Sequence, residues 1–450
     1  MGRKLLLEKA GIEGIKNYEV YRNNGGYAVV EQAFKMAPAD IIEEVKKSGL
    51  RGRGGAGFPT GLKWSFLAKP EGVPRYLVCN ADESEPGTFK DRYLMEVLPH
   101  LFIEGLIISS YALGANTCYI YIRGEYAWIV DILEKAIAEA KQNGFLGTNI
   151  LGSGFDCNIY VQRGAGAYIC GEETALLESL EGKRGNPRIK PPFPAVRGLW
   201  GCPTVVNNVE TLAAVVPIIQ LGGDAYAKIG IGKSTGTKLI SACGNVNKPG
   251  IYEIDMTISV EEFIYDDAFC GGIANNKKLK ACIPGGSSVP ILPANLTLTT
   301  AKGEKRMMTY ESLADGGFAT GSMMGSGGFI VLDEDQCIVR HTYTLARFYR
   351  HESCGQCSPC REGTGWMEKI LYQIESGKGK MSDIELLWDI QSKIEGNTIC
   401  PLGDAAAWPV AAAIRHFRDE FEWHVQQPGE AVSRNFGLAH YADALEVAMG

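Results

Sequence analysis

The sequence predicts an α/β domain followed by a small β-rich domain and a C-terminal helical bundle. Strands and helices alternate over residues 75–180, short strands separated by turn residues follow from residue 237, and the pattern after residue 332 is helical. The 450 residues, of which 45% are hydrophobic, are enough for several cores. We therefore predict an N-terminal arm (1–35), an α/β domain (36–236), a β-rich domain (237–332), a helical domain (333–426) and a tail (427–450).

Composition excludes several classes of protein. A formal net charge of -7 argues against a nucleic-acid or anionic-membrane surface, although residues 183–190 are locally basic. No window reaches about 18 uninterrupted apolar residues, so we predict no membrane span, and the N-terminus lacks the features of a secretion signal. Nine of the thirteen cysteines are scattered singly through the chain, which is typical of buried thiols in a reducing compartment.

Periodicity gives the elements of the α/β domain in order. We predict a helix at 38–47, a strand at 75–79, a helix at about 91–113, a strand at 117–122, a helix at 127–142, a strand at 157–161 and a helix from near Glu173. Residues before about 35 have only a weak pattern. They predict an entry segment without chemistry of its own.

A glycine-rich loop follows the first of these helices. Six glycines lie in the thirteen residues 49–61, and Gly52, Gly54 and Gly57 have the spacing G-x-G-x-x-G. The preceding segment is helical, so the context of a Rossmann motif is missing. Glycine lets the backbone approach a phosphate or a flat ring closely, and cations and aromatic rings flank the loop. These side chains, which favour a nucleotide or flavin site over a plain surface turn, are Arg51, Arg53, Lys63, Phe58 and Trp64.

Two further polar loops come at predicted strand ends. An acidic turn at 80–87 follows the first strand, and the loop at 163–174 repeats the order of strand, glycines and helix start. Ligands of open α/β sheets bind at the carboxyl ends of the strands. Solvation or helix capping is the alternative for the acidic turn, but two such loops in one domain favour a binding site.

Short strands predict the second domain, at residues 239–242, 244–250, 251–254 and 280–283. Amphipathic stretches predict the helices of the third, at about 338–349, 363–374, 383–394 and 410–425.

The most specific local pattern is a set of four cysteines in the helical domain. Cys354, Cys357 and Cys360 have the spacing C-x-x-C-x-x-C, and Cys400 follows after 39 intervening residues. This favours the four thiolate ligands of a [4Fe-4S] cluster over a zinc site or unligated thiols. Clusters exchange single electrons, whereas a flavin accepts a hydride and releases electrons singly. A flavin and a cluster together predict a converter from a nicotinamide to a one-electron chain.

On these residues the chain resembles the NADH-binding flavoprotein subunits of respiratory complex I. It is similar also to the diaphorase subunits of NAD-linked hydrogenases and formate dehydrogenases. The resemblance covers about residues 12–426 and rests on residues 48–64, 79–92, 159–177 and 203–211 and on the four cysteines. It implies an NADH:quinone oxidoreductase flavoprotein subunit that passes a hydride from NADH to FMN and then single electrons to a [4Fe-4S] cluster.

The resemblance also implies which residues bind the cofactors. For FMN they are Gly52, Arg53, Gly54, Gly55, Ala56, Gly57, Lys63, Asn80, Asp82, Glu83, Ser84, Tyr168, Gly171, Glu172, Val206, Asn207, Asn208 and Thr211. For NADH they are Phe58, Phe66 and Phe193 around the adenine, Lys190 toward the phosphates, and Glu85 and Glu173 near the ribose hydroxyls, where they position the nicotinamide cofactor. The alternative role of Glu173 is to cap the helix that begins there.

Fold details and partners follow from the same resemblance. It implies a β-grasp domain of the soluble-ligand-binding kind at about 238–332. It implies two neighbours, a thioredoxin-like [2Fe-2S] subunit and a large iron-sulfur subunit. The chain would then lie on the cytoplasmic side of the inner membrane, or the matrix side of a mitochondrion, and associate with the membrane only through its complex. The alternatives are a diaphorase subunit and a cluster-bearing scaffold that binds no flavin.

Overall fold

Four parallel strands form the sheet at the centre of the first domain, in the order β3–β2–β1–β4. The computed structural model describes residues 3–426, and the predicted tail at 427–450 lies outside the described residues. The strands are β1 Tyr76–Ala81, β2 Thr117–Ile122, β3 Asn158–Arg163 and β4 Thr204–Asn208. The predicted α/β alternation is confirmed, and β4 is a strand that the pattern did not reveal.

Eleven helices of the described chain belong to this domain. They are α1 Tyr18–Asn23, α2 Ala28–Ala33, α3 Pro38–Lys47, α4 Thr60–Ser65, α5 Lys90–Val97, α6 Pro99–Leu113, α7 Ala127–Gln142, α8 Glu173–Leu180, α9 Val209–Ala213, α10 Val215–Leu221 and α11 Gly223–Ala227. The single helix predicted at 91–113 is wrong, because α5 and α6 meet at Leu98 with a bend of 98°. Pro99 lacks an amide hydrogen and suits the first position of a new helix. No single helix in residues 3–426 has the length and hydropathy of a membrane span, and only α5 and α6 taken together reach that threshold.

The N-terminal segment packs into the domain instead of standing apart as an arm. Leu6, Tyr21 and Tyr27 are fully buried in the core with the central sheet. The main-chain amides of Leu5–Leu7 donate hydrogen bonds of 2.8–2.9 Å to the carboxylate of Glu253 in the second domain. The segment therefore ties the first two domains together.

The second domain is a mixed five-stranded sheet in the order β10–β9–β11–β7–β8. After the two-residue pair β5 Gly230–Ile231 and β6 Ser234–Thr235, its strands are β7 Lys238–Gly244, β8 Gly250–Ile254, β9 Leu279–Ile283, β10 Leu292–Pro293 and β11 Gly328–Asp333. The helices are α12 Val260–Tyr265, α13 Ala294–Leu298, α14 Tyr310–Leu313 and α15 Gly317–Thr320. Only β7 and β11 pair in parallel among the described strands of this sheet. The strand predicted at 244–250 is wrong, because Gly244 turns the chain at φ +86°.

Four helices make up the third domain, as predicted. They are α16 Ile338–Glu352, α17 Ser358–Glu375, α18 Met381–Ile394 and α19 Leu402–Gln426. One apolar stripe from each helix enters a shared core. The hairpin between α16 and α17 carries three of the four motif cysteines, and the fourth closely precedes α19.

Candidate functional site

A cavity of about 480 Å³ lies where the three domains meet. It opens at the carboxyl ends of β1 and β4, whose register places Asn80 beside Asn208. Its lining includes Gly54, Gly55, Ala56, Asn80, Asp82, Glu83, Glu85, Thr88, Lys90, Asp91, Tyr168, Gly171, Glu172, Asn208, Ser288, Ser326, Pro401, Leu402 and Trp408. Eleven of these residues were predicted to bind FMN or NADH from the sequence, and the cavity brings them together.

The glycine-rich loop forms one wall of the cavity. The amide of Gly52 donates to the carbonyl of Phe58, which closes the loop on itself. Gly55 has a φ of +152°, and a Cβ atom built there would meet no protein atom within 4 Å. At Gly54 a Cβ atom would come within 3.0 Å of the Asn208 side chain. The backbone at Gly55 therefore borders open space that any larger side chain would reduce, whereas at Gly54 the close approach of Asn208 leaves no room for a side chain.

The acidic turn supplies an acceptor that no described residue uses. Asp82 Oδ1 accepts a hydrogen bond from Ser84, but the buried Oδ2 has no partner within residues 3–426. Burial raises the pKa of Asp82 to about 7. Glu83 behaves differently, because its two oxygens accept from the amides of Asp91 and Arg92 at the start of α5. Glu83 is thus a helix cap, whereas one oxygen of Asp82, Oδ2, lacks a partner among the described residues.

Glu85 lies between the first and second domains. Its carboxylate accepts from the Tyr168 hydroxyl at 2.7 Å and from the Ser288 amide at 2.6 Å. Ser287 extends this network to Tyr349 of α16, which it contacts at 2.7 Å. Burial raises the pKa of Glu85, and these donors act against that shift. The network holds the carboxylate at the cavity wall and connects it to the helix that leads to Cys354.

A buried group of charges behind the wall was missed by the sequence analysis. Lys90 contacts Asp91 and Glu210, each at 2.8 Å, and Glu210 contacts Lys238 at 2.7 Å. Burial, opposed mainly by Glu210, lowers the pKa of Lys238 to about 7. Lys90 is 1% exposed yet lines the cavity. The sequence around Lys90 does not reveal this ion pair, because the partner Glu210 is distant in the chain.

Several residues predicted to contact FMN have side chains that are engaged elsewhere. Arg53 is buried and donates to the Tyr310 hydroxyl and the Thr235 carbonyl. Asn207 accepts from the Trp64 indole at 2.8 Å. Thr211 accepts from the Arg53 amide at 2.8 Å. These bonds stabilise the glycine loop from behind. Gly52, Gly57, Lys63, Ser84 and Val206 also lie outside the cavity lining.

The cavity fits FMN in size and chemistry. Its volume lies in the range of about 300–1,000 Å³ that is usual for cofactor sites. The glycine wall leaves space for a flat ring, and the free oxygen of Asp82 can accept a hydrogen bond from a ring N–H. Lys90, which is paired with Asp91 and Glu210, is a cation in the wall of this cavity.

Apart from Glu85, which lines the cavity, the residues predicted for NADH lie around an exposed surface outside the lined cavity. Phe58, Phe66 and Phe193 are each about half exposed. Nearby, Glu173 forms ion pairs with Lys63 at 3.0 Å and with Lys190 at 3.1 Å. Although burial acts in the opposite direction, these two lysines lower the pKa of Glu173.

The structure separates the two roles considered for Glu173. The residue that caps α8 is Glu172, whose carboxylate accepts from the amides of Thr174 and Ala175. Glu173 is the first residue of the helix, and its carboxylate contacts only the two lysines among the hydrogen bonds and ion pairs of the described residues. Glu172 thus supplies the capping hydrogen bonds, and Glu173, in the first turn, can contribute only its charge to that end of the helix.

The four motif cysteines converge on one apolar patch beside α8. Cys360 packs inside the patch, and Cys354, Cys357 and Cys400 pack at its edge. The Ile399 amide donates to the Cys357 sulfur at 3.4 Å, which joins the two cysteine segments. Burial raises the pKa of Cys400 to about 12, so that without a metal the thiol form predominates there.

The four motif sulfur atoms are not gathered as closely as the four ligands of one zinc ion. Four thiolates on one zinc lie about 3.8 Å apart, given zinc–sulfur bonds of about 2.3 Å. Among residues 3–426, three potential ligand atoms lie within 4.8 Å of one another only at Cys337, Glu375 and His424. No three of the motif sulfurs, all within the described chain, come that close. Wider spacing suits a group of four irons, each bound by one cysteine.

One short segment joins the two sites. Cys400 is followed by Pro401 and Leu402, which line the cavity. Glu172, another lining residue, lies close enough to Cys400 to affect the pKa of the thiol. A cofactor in the cavity and a cluster on the cysteines would thus be neighbours.

Comparison with known proteins assigns the chain to a family. Residues 45–217 match the family model described as the Nuo51 FMN-binding domain, and residues 340–424 match the NADH-ubiquinone oxidoreductase-F iron-sulfur binding region. The second F subunit of NADH-quinone oxidoreductase from Rhizobium meliloti (strain 1021) is 50% identical over 429 residues, which are 95% of this chain and 99% of that protein. The chain belongs to the family of NADH-quinone oxidoreductase F subunits.

Another member and a solved structure support this family assignment. The F subunit of NADH-quinone oxidoreductase from Rickettsia typhi (strain ATCC VR-144 / Wilmington) is 53% identical over 89% of this chain and 90% of that protein. A crystal structure of NAD+-reducing [NiFe]-hydrogenase in the H2-reduced state is similar with a TM-score of 0.80 and 34% identity, over 95% of this chain and 68% of that chain. This chain and that hydrogenase chain therefore share one architecture over the matched residues.

Proposed function

We propose that this chain is the electron-input subunit of an NADH:quinone oxidoreductase. It oxidises NADH at FMN and passes electrons to a [4Fe-4S] cluster. The observation that carries this proposal is the segment 400–402, which supplies a cluster cysteine and the wall of the cavity. The two family regions, one for FMN and one for iron-sulfur, fall on these two sites.

FMN binding is assigned to the cavity at the junction of the three domains. Gly54, Gly55 and Ala56 leave the space, Asp82 offers its free oxygen, and Asn80 with Asn208 lies at the strand ends. Bound FMN accepts a hydride and returns the two electrons singly. The protein supplies orientation and exclusion of water, and the fixed carboxylate of Glu85 supplies a hydrogen-bond acceptor for the nicotinamide cofactor.

NADH binding is assigned to the exposed surface beside the cavity. The three half-exposed phenylalanines offer faces for an adenine ring. Lys63 and Lys190 are drawn together by Glu173, and they provide cations for phosphates. Glu173 itself is ionised and can accept hydrogen bonds from ribose hydroxyls, whereas it would repel a 2′-phosphate.

The cluster is assigned to Cys354, Cys357, Cys360 and Cys400. We further assign the second domain to the β-grasp type, since its central parallel pair β7 and β11 is flanked by antiparallel strands and packs against α12. We assign the partners as a thioredoxin-like [2Fe-2S] subunit and a large iron-sulfur subunit, with membrane association only through them on the cytoplasmic side, or the matrix side in a mitochondrion. The names of the relatives as subunits support an assembly of this kind.

Cys400→Ser tests whether hydride transfer and electron relay separate as proposed. Iron bound to anaerobically purified protein should fall by at least half, while NADH should still bleach the flavin absorbance. The matched control is Cys170→Ser, because Cys170 is a buried thiol in the same apolar patch that is outside the motif. Zinc in place of iron in the wild-type chain would contradict the cluster, and flavin that stays oxidised with NADH would contradict the cavity assignment.

Diaphorase function in a hydrogenase remains a second candidate, since the solved hydrogenase chain has the same architecture. The higher identity and fuller coverage of the NADH-quinone oxidoreductase relatives favour the quinone-linked complex. The subunits that co-purify with the tagged chain from its own organism distinguish the two. A quinone-reducing membrane complex supports the first, and a NiFe subunit supports the second.

A further inference from the structure

A second group of potential metal ligands lies in the helical domain, away from the four motif cysteines. Cys337, Glu375 and His424 each contribute one ligand atom, and these atoms lie within 4.8 Å of one another. All three side chains are buried, with exposures of 7%, 8% and 1%. They come from three different helices, at the start of α16, the end of α17 and near the end of α19.

The placement of each atom suits metal binding. Cys337 Sγ is 3.1 Å from His424 Nε2, the ring nitrogen that would bind the ion, whereas Nδ1, on the other edge of the ring, lies 3.7 Å from Glu375 Oε2 and cannot bind the same ion. Zinc–sulfur bonds of about 2.3 Å and zinc–nitrogen bonds of about 2.0–2.1 Å place S and N about 3.5 Å apart in a tetrahedral site. The sulfur and the ring would therefore separate by only a few tenths of an ångström to admit an ion.

Two further features favour a ligand over a plain hydrogen-bonded core. Cys337 is the N-cap of α16, and its sulfur accepts from the Arg340 amide at 3.4 Å, which fixes the position of the sulfur at the end of the helix. Glu375 Oε2 is buried and has no hydrogen-bond partner among the described residues. The Arg340 guanidinium lies 3.7 Å from the other oxygen of Glu375, Oε1, so Oε2 is the oxygen that a bound cation would satisfy.

We propose that Cys337, Glu375 and His424 bind one Zn²⁺ ion, with a water molecule completing the coordination. Thiolate, imidazole and carboxylate are the ligands that zinc takes in proteins. The ion fastens the ends of three helices at one end of the bundle. The iron-sulfur cysteines lie at the other end, because α16 and α17 form an antiparallel hairpin whose connecting loop carries Cys354 and Cys357.

This separation makes the zinc structural and keeps it out of the electron path. Helix α16 has 15 residues and α17 has 18, so the two ends of the hairpin are about 20–25 Å apart at 1.5 Å per residue. The proposal is therefore independent of the proposed function, and its failure would leave that function untouched.

Metal analysis of the full chain, purified anaerobically with its cluster loaded, tests the proposal. We expect one zinc per chain in addition to the cluster iron. His424→Gln and Cys337→Ser should each lose the zinc and keep the iron. The matched control is Cys270→Ser, a fully buried cysteine of the second domain, which should keep both metals.

Cobalt provides a second measurement that does not depend on metal supplied during expression. After removal of zinc by a mild chelator, Co²⁺ added to the wild-type chain should produce a thiolate-to-cobalt absorption band in the difference spectrum. The band should be absent in Cys337→Ser and present in Cys270→Ser. A wild-type chain that binds no zinc and gives no cobalt band overturns the proposal and leaves a hydrogen-bonded Cys–His–Glu triad. A cobalt band that persists in Cys337→Ser also overturns it.

Discussion

Glu210 and Asp82 are both buried carboxyl groups near the cavity, yet their surroundings act in opposite directions. Glu210 is paired with Lys238 and Lys90, which lower its pKa despite its burial. Burial raises the pKa of Asp82 to about 7, and its Oδ2 oxygen has no partner in the described chain. Both oxygens of Glu210 accept hydrogen bonds within the protein, so this carboxylate stabilises the fold. One oxygen of Asp82 has no donor in the described chain and is free to accept a hydrogen bond from a ligand.

Removing the paired carboxylate should have the largest effect on stability. Glu210→Gln leaves Lys90 and Lys238 buried without their shared counter-ion, which should cost about 3–5 kcal/mol in the free energy of unfolding. Urea unfolding of the flavin-free chain measures this. Glu311→Gln is the control, because that carboxylate pairs with Arg51 at the surface and should cost less than about 1 kcal/mol. Equal losses in the two variants would show that the buried network contributes no more than a surface pair.

Filling the cavity should weaken FMN binding without an equal loss in the free energy of unfolding. Gly55→Val places a branched side chain in the open space beside the loop, and a cost of about 1–3 kcal/mol to the bound state predicts FMN binding weaker by about 5- to 160-fold. Titration of the flavin-free chain with FMN, followed by flavin fluorescence, measures the affinity. Gly303→Val is the control, since Gly303 also has a positive φ and open surroundings but lies in the second domain away from the cavity. Unchanged FMN affinity in Gly55→Val would place the flavin elsewhere.

The carboxyl group of Asp82 should make the free energy of unfolding depend on pH. A group whose pKa is raised by folding, here from 3.8 to about 7, stabilises the folded chain most below pH 4, and this contribution is lost as pH rises toward 7. The flavin-free wild-type chain should therefore lose free energy of unfolding between pH 5 and pH 7. In Asp82→Asn this loss should be smaller by about 1–3 kcal/mol. Urea unfolding at the two pH values measures the difference. Asp267→Asn, at an exposed carboxylate, should leave the loss unchanged. An Asp82→Asn chain with the same pH dependence as wild type would mean that Asp82 ionises normally.

The smallest effect is expected for a change at Glu173. This partly exposed carboxylate pairs with Lys63 and Lys190 beside the proposed NADH surface. Glu173→Gln should raise the ratio of NADPH to NADH turnover about tenfold, because it removes a like charge from beside a 2′-phosphate. Its cost to helix stability should stay below about 1 kcal/mol, since Glu172 is the cap. Steady-state kinetics of kcat/KM with ferricyanide as acceptor measure the ratio. Glu178→Gln on the same helix is the control. An unchanged ratio with full flavin content would leave Glu85 as the specificity residue.

The sequence predicted those parts of the site that depend on local patterns. The glycine loop and the acidic turn are each short, continuous segments, and the first three motif cysteines lie within seven residues, so their spacing has few physical alternatives. The four bundle helices were predicted for the same reason, since an apolar stripe on one helix is a local property.

The features that could not be predicted from the sequence depend on contacts between residues that are far apart in the chain. Lys90 and Glu210 are 120 positions apart, and nothing near either residue indicates that they meet. The engagement of Arg53 with Tyr310 likewise depends on how the second domain packs on the first. The break between α5 and α6 was missed because Leu98 and Pro99 continue an apolar run, although the proline at 99 was the available signal.

The clamp between Leu5–Leu7 and Glu253 has a consequence for synthesis of the chain. Glu253 is 247 positions after Leu6, and ribosomes add about 5–20 residues per second, so the acceptor emerges about 12–50 s after the donors. During that interval the nascent N-terminal segment exposes apolar side chains such as Leu6 and must be kept from aggregating. A fragment that stops at residue 236 would remain in this state permanently, so shortened versions of the first domain for heterologous expression should include the second domain.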